Sequence, residues 1–170
     1  MAYRFYQNAY KQKYNGLISY STVFLWSEPE NSTDPLDTIE VEMFHQFVVG
    51  RTLHPIFSSE GGWPPLAHVY SKRIGLSQGF NGSSLPLFTE SEKRLVKALN
   101  YYSGFKIKAV SYTDATTTYP PGLRKTAAWM KKQYGSWDIL VTENGYGDID
   151  RTLTDVTRIK VIKETLEQVT

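Results

Sequence analysis

Three short runs rich in β-branched and aromatic residues, set far apart with helical patterns between them, constrain this chain more than any other feature. They fall at residues 17–25, 105–110 and 137–142. The first is continuous, Leu17-Ile18-Ser19-Tyr20-Ser21-Thr22-Val23-Phe24-Leu25, and the second alternates with period two. Both patterns are those of strands. Strands that alternate with helices imply right-handed crossovers and a parallel sheet.

The intervening helices carry their own punctuation. Tyr3, Tyr6 and Tyr10 recur at helical spacing across residues 2–13, and Gly16 is placed to stop that helix. Asp34 is an N-cap with Pro35 at the first helical position, and Ile39, Met43, Phe44, Phe47 and Val48 share one face before a stop at Gly50. Thr89-Glu90-Ser91-Glu92 is a capping box opening a helix through Leu95, Val96 and Leu99. Pro120-Pro121 starts a helix bearing Leu123, Ala127, Trp129 and Met130 that ends near Gly135. The last helix, opened by Thr154 or Asp155, carries Ile159, Ile162, Leu166 and Val169 as its apolar stripe. Residues 58–86, rich in Gly, Pro and Ser, read as one long irregular stretch, and such loops are usually functional or disordered. The expected order is α-β-α-α-β-α-β-α in a single domain over residues 1–170. A closed (β/α)8 barrel needs eight strands and roughly 250 residues. Three strands in 170 residues cannot close one.

Several function classes are disfavoured by composition. Lys and Arg number 19 against 17 Asp and Glu, a net charge of +2, with no basic run beyond Lys131-Lys132. A nucleic-acid footprint would need a clustered basic patch. With no cysteine, neither a disulfide framework nor a Cys-based metal or redox site is possible. His45, His54 and His68 lack the close pairing of a helical zinc site, so no metal is expected. No segment approaches the roughly 18 apolar residues of a membrane span, and the N-terminus has no apolar signal region. Two glycosylation tripeptides, at Asn31 and Asn81, matter only for a secreted chain. The 12 Tyr and 4 Trp would suit a sugar- or protein-binding face, but on composition alone the filling of a core is the favoured reading.

Chemistry in a parallel α/β array gathers at the carboxyl ends of strands. Glu143, directly after Ile139-Leu140-Val141-Thr142, occupies such a place. A carboxylate held there suits nucleophilic attack on a sugar carbon. On position alone, the favoured reading is a loop glutamate that bonds local amides.

The segment from Trp137 to Gly145 resembles the motif I-x-V/I-T-E-N-G of glycoside hydrolase family 1, which ends the seventh strand of that family's barrel. Other segments match in the family's order. Trp26-Ser27-Glu28-Pro29 is similar to its W-x-E-P corner after the fifth strand, and His54-Pro55-Ile56-Phe57-Ser58 to H-P-I-F-S/T. Leu85-Pro86-Leu87-Phe88-Thr89-Glu90-Ser91-Glu92-Lys93 is similar to L-P-x-F-T-x-E-E-K. Gly122-Leu123-Arg124-Lys125, with Trp129, Tyr134 and Gly135, resembles the helix before the nucleophile strand. Insect members are the nearest in character.

The resemblance implies an incomplete (β/α)8 barrel fragment, retaining hydrolysis of β-glucosides, a β-glucoside-type carbohydrate as partner, no cofactor, and Glu143 as nucleophile. If the parent is like insect members, it implies secretion. The family's acid/base glutamate comes from T-F/L-N-E-P after the fourth strand, and no such segment occurs here. Glu28 belongs to the structural corner instead. The family's first strands, its eighth strand and a connection between Val110 and Tyr119 also have no counterpart.

The sixth-strand tyrosine and asparagine have two possible registers. One aligns Leu99-Asn100-Tyr101-Tyr102-Ser103 with L-N-Y-Y-T/S, making Tyr102 and Asn100 the substrate-site pair. The other aligns Tyr102-Ser103-Gly104-Phe105 with the preceding D-F-x-G-F portion and puts Lys106 and Lys108 in their places. The expected activity of the chain alone is weak or absent, with exposed apolar faces favouring self-association or partial disorder near residues 58–86. A non-catalytic carbohydrate- or partner-binding remnant, or the truncated product of a partial gene, are the alternatives.

Overall fold

The computed structural model describes residues 2–14, 16, 19–97, 106–111, 119–135, 139–143 and 154–169. Its centre is a three-stranded parallel sheet in the order β1 (Ser19–Phe24), β2 (Lys106–Ser111), β3 (Ile139–Glu143). All three expected strands are present, each within a residue or two of its predicted limits. β1 and β2 pair in even register from Ser19 opposite Lys106 to Phe24 opposite Ser111. β2 and β3 do not stay even. Ala109 faces Val141, but Val110 faces Glu143, so Thr142 is an extra residue in β3. Bulges of this kind are uncommon between parallel strands.

Helices α1 (Ala2–Ala9) and α2 (Lys11–Tyr14) precede β1. After β1 come α3 (Pro35–His45), a π-helical turn at Gln46–Gly50, and α4 (Arg51–Phe57). Asp34 caps α3 as its sequence predicts, its side chain accepting the Leu36 N–H at 2.8 Å with Pro35 in the first turn.

Gly50 does not stop the helix. The chain stays helical from α3 through the π turn into α4, and Gly50 is buried. A Cβ there would meet Pro64 Cγ at 3.0 Å and Tyr134 Oη at 3.4 Å, so the glycine serves close packing rather than termination.

The stretch expected to be irregular between residues 58 and 86 contains a thirteen-residue helix, α5 (Pro65–Ser77). Pro65 sits in its first turn, where a missing N–H costs nothing. Its buried face is Ala67, Ser71 and Gly75, spaced four apart. Small residues at that spacing let α5 lie close against α3 and the π turn, with no large apolar stripe to mark it.

Helix α6 (Glu90–Lys97) opens with the predicted capping box. Glu92 accepts the Thr89 N–H at 2.8 Å, and Thr89 Oγ1 accepts the Glu92 N–H at 3.2 Å. Helix α7 (Pro121–Tyr134) ends at Gly135, whose φ of 83° is the left-handed conformation that favours glycine.

Helix α8 (Val156–Leu166) departs from expectation. Val161 and Thr165 are its buried residues, and Ile159, Leu166 and Val169 are exposed. Arg124 of α7 donates to the carbonyls of Glu167 and Gln168, both at 3.3 Å. That bond of a cation to a helix C-terminus fixes α8 on its Val161 edge, not on the stripe of large aliphatics.

The core lies between one face of the sheet and the helices. Phe24 of β1, Val49, Leu53 and Phe57 of the α3–α4 run, and Trp129, Met130 and Tyr134 of α7 form one buried cluster, with Ile139 of β3 packed on it. Burying side chains of this size stabilises by roughly 1.5–3 kcal/mol each before entropy is counted.

Candidate active site

Because the three strands are parallel, their carboxyl ends share one edge of the sheet. Glu143 is the last residue of β3 and lies on that edge, opposite Val110 of β2. Ile139 packs toward the helical core, whereas Leu140 is exposed on the other side. Simple alternation would give position 143 the phase of Ile139 and Val141. The extra residue at Thr142 resets the count, so the backbone at position 143 keeps the phase of Leu140. Asn100 and Tyr102 fall outside the described residues, as do Asn144 and Gly145.

The second element on this edge is the corner after β1. The Trp26 ring stacks on His45 of α3, with centroids 4.4 Å and planes 28° apart. Trp26 Nε1 donates to Glu28 Oε1 at 2.7 Å. The same oxygen accepts Tyr119 Oη at 3.2 Å and the Lys125 ammonium, which also bonds Tyr119 Oη at 2.8 Å. One carboxylate oxygen therefore ties the β1 corner to the start of α7.

These bonds decide what Glu28 can do. The Lys125 ammonium, and then the Trp26 indole, hold its carboxyl below the usual glutamate range. A general acid needs the opposite, a raised pKa and a proton to give. Glu28 is a structural corner residue, as its W-x-E-P context implies.

Nothing in the residue pattern singles out His45, yet it organises this corner. Buried among Phe24, Trp26 and Trp129, it accepts the Ser27 N–H at Nε2 at 3.1 Å. Burial pushes its pKa below the ordinary histidine value, although Glu42 and Glu28 act against this. The only available signal was its place among apolar residues of α3. Among the described residues, no group of three or more His, Asp or Glu could hold a metal ion.

The profile of glycosyl hydrolase family 1 matches residues 106–170, which take in β2, α7, β3 and α8. The chain resembles a part of glycosyl hydrolase family 1. Myrosinase 1 of Brevicoryne brassicae is 32% identical over 97% of this chain and 41% of its own length. The cytosolic beta-glucosidase of Cavia porcellus is 26% identical over 98% of this chain and 42% of its own. Among solved structures, aphid myrosinase superposes with a TM-score of 0.76 at 28% identity, covering 99% of this chain and 42% of that one. The chain thus spans about two fifths of the length of these family 1 relatives. Within the family 1 framework, the parallel sheet, the β1 corner and the T-E-N-G strand end fall in the order the motifs predict.

Proposed function

We propose that this chain is an incomplete (β/α)8 barrel of glycosyl hydrolase family 1. In this reading Glu143 occupies the nucleophile position of a retaining β-glucosidase, and the 170 residues alone have little or no turnover. The observation that carries the proposal is Glu143 closing β3 at the carboxyl edge of a parallel sheet, within Val141-Thr142-Glu143-Asn144-Gly145.

Retaining hydrolysis uses two carboxyls about 5–5.5 Å apart. The first attacks the anomeric carbon. The second protonates the leaving oxygen and then deprotonates water. Glu143 supplies the attacking oxygen here, forming a glycosyl ester as the aglycone departs. Among the described residues, Glu28 on the same edge is held ionised by Lys125 and does not serve as that second carboxyl. General acid/base assistance is worth typically about 10²–10⁴-fold. Its loss slows both formation and hydrolysis of the ester. Apolar surface left exposed beside the outer strands further favours self-association of this chain.

The test compares two substrates with the purified chain. A dinitrophenyl β-glucoside, whose leaving group needs no acid, should release at most about one equivalent of phenolate, and Glu143→Gln should abolish even that. An alkyl β-glucoside should give no product. Sustained turnover of the alkyl glucoside, lost in Glu143→Gln, would overturn the proposed incompetence. Release that is indifferent to Glu143→Gln would overturn the assignment of the nucleophile.

A further inference from the structure

A cleft lies between α5 and the loop at residues 80–84, with no strand residue in its lining. Its volume is about 250 Å³, just below the roughly 300 Å³ at which ligand pockets usually begin. That is room for one ring and not two. Phe47, Ile74 and Phe80 supply apolar lining, and Ser71, Ser83 and Ser84 supply hydroxyls. No lining residue is charged.

The hydroxyls form a directed chain whose proton balance can be worked out. Ser83 Oγ donates to Ser71 Oγ at 3.1 Å and accepts the Leu85 N–H at 3.1 Å. Its single proton is thereby used, so His68 Nδ1, 3.1 Å away, is the donor in that pair. Ser71 Oγ accepts from Ser83 and from the Ser84 N–H at 3.1 Å. Both its lone pairs are then taken, so in the 3.0 Å contact with Ser84 Oγ it is Ser71 that donates. The proton of Ser84 is left over at an exposed position on the cleft wall. Gln78 and Asn81 add amide donors and acceptors beside it.

The cleft is held open by backbone contact. Gly75 lies so close to the Gly82 carbonyl that a Cβ would meet that oxygen at 2.2 Å. Gly82 itself has φ of 122°, a conformation suited to glycine.

We propose that this cleft binds a neutral pyranose. A charged ligand would be desolvated without a counter-charge, which is costly. A wholly apolar ligand would leave the Ser84 hydroxyl and the two amides unpaired. A pyranose has an apolar C–H face for Phe80 and a hydroxyl rim for Ser84, Gln78 and Asn81. The site is separate from Glu143, and the proposal does not rest on the reading of that residue.

The test is a titration of the full chain with D-glucose, followed through backbone amide NMR shifts. Saturable shifts should appear at residues 74–84. Ser84→Ala and Phe80→Ala, both at exposed side chains, should each weaken binding about tenfold, and Glu143→Gln should leave it unchanged. Glucose 6-phosphate should bind at least about tenfold more weakly. No saturable shift at residues 74–84, shifts unaffected by both cleft variants, or equal binding of the phosphate would each overturn the proposal.

Discussion

Ser27 donates its backbone N–H to Nε2 of His45 at 3.1 Å, across a gap of eighteen residues. The bond requires a lone pair on Nε2 and so a neutral imidazole. Burial, which already lowers the His45 pKa, acts in the same direction. The unfolded chain takes up a proton near pH 6.5, whereas the folded chain resists it until lower pH. Below that value the unfolded state therefore binds more protons, and stability falls as pH drops. Denaturation by urea at a series of pH values should show stability fully present above about pH 6.5 and declining below it. His45→Gln keeps an acceptor for Ser27 and should remove this part of the slope.

Glu42 of α3 joins two helices through three donors. It accepts Trp129 Nε1 at 2.9 Å and Gln133 Nε2 at 3.2 Å from α7, and Gln46 Nε2 at 2.8 Å from the π turn. Glu42→Ala strands the buried indole N–H and should cost about 1–3 kcal/mol of stability. Glu42→Gln retains an acceptor and should cost less. A double-mutant cycle with Trp129→Phe should show coupling between the two positions, measured by equilibrium denaturation.

Gly75→Ala should destabilise the fold by about 1–3 kcal/mol, because the clashing neighbour is a backbone carbonyl with no rotamer to change. Amide exchange should rise at Gly82 and Ser83 if the loop is displaced.

Leu140 is 55% exposed on the sheet face opposite the helical core. Sedimentation velocity on the chain should show concentration-dependent association, and Leu140→Lys should shift the distribution toward monomer. A single species at all concentrations would remove the case for association through this face.

Local signals carried most of the fold that could be read from sequence. Asp34-Pro35, the Thr89 box and Gly135 act through bonds or dihedrals within a few residues, and each is where its pattern put it. Features fixed by long-range packing were illegible. Helix α5 buries Ala67, Ser71 and Gly75, which hydropathy does not register as a face. Gly50 looks like a terminator but is a contact point for Pro64. At the candidate site, the T-E-N-G motif located Glu143 and W-x-E-P gave Glu28 its structural role. His45 was hidden because its importance depends on Ser27 and Trp26 coming to it from another element.

The surplus residue in β3 sets a rule about chain length that residue identity does not express. Substitutions at Thr142 leave the count from Ile139 to Glu143 intact, and with it the phase of the final position. Removing Thr142 would instead abolish the bulge, and plain alternation from Ile139, Leu140 and Val141 would still bring the glutamate opposite Val110 with the phase of Leu140. The strand can thus lose that one letter without moving its last position, and a one-residue gap there would mark a homologue with a straight strand and the same neighbour opposite its glutamate.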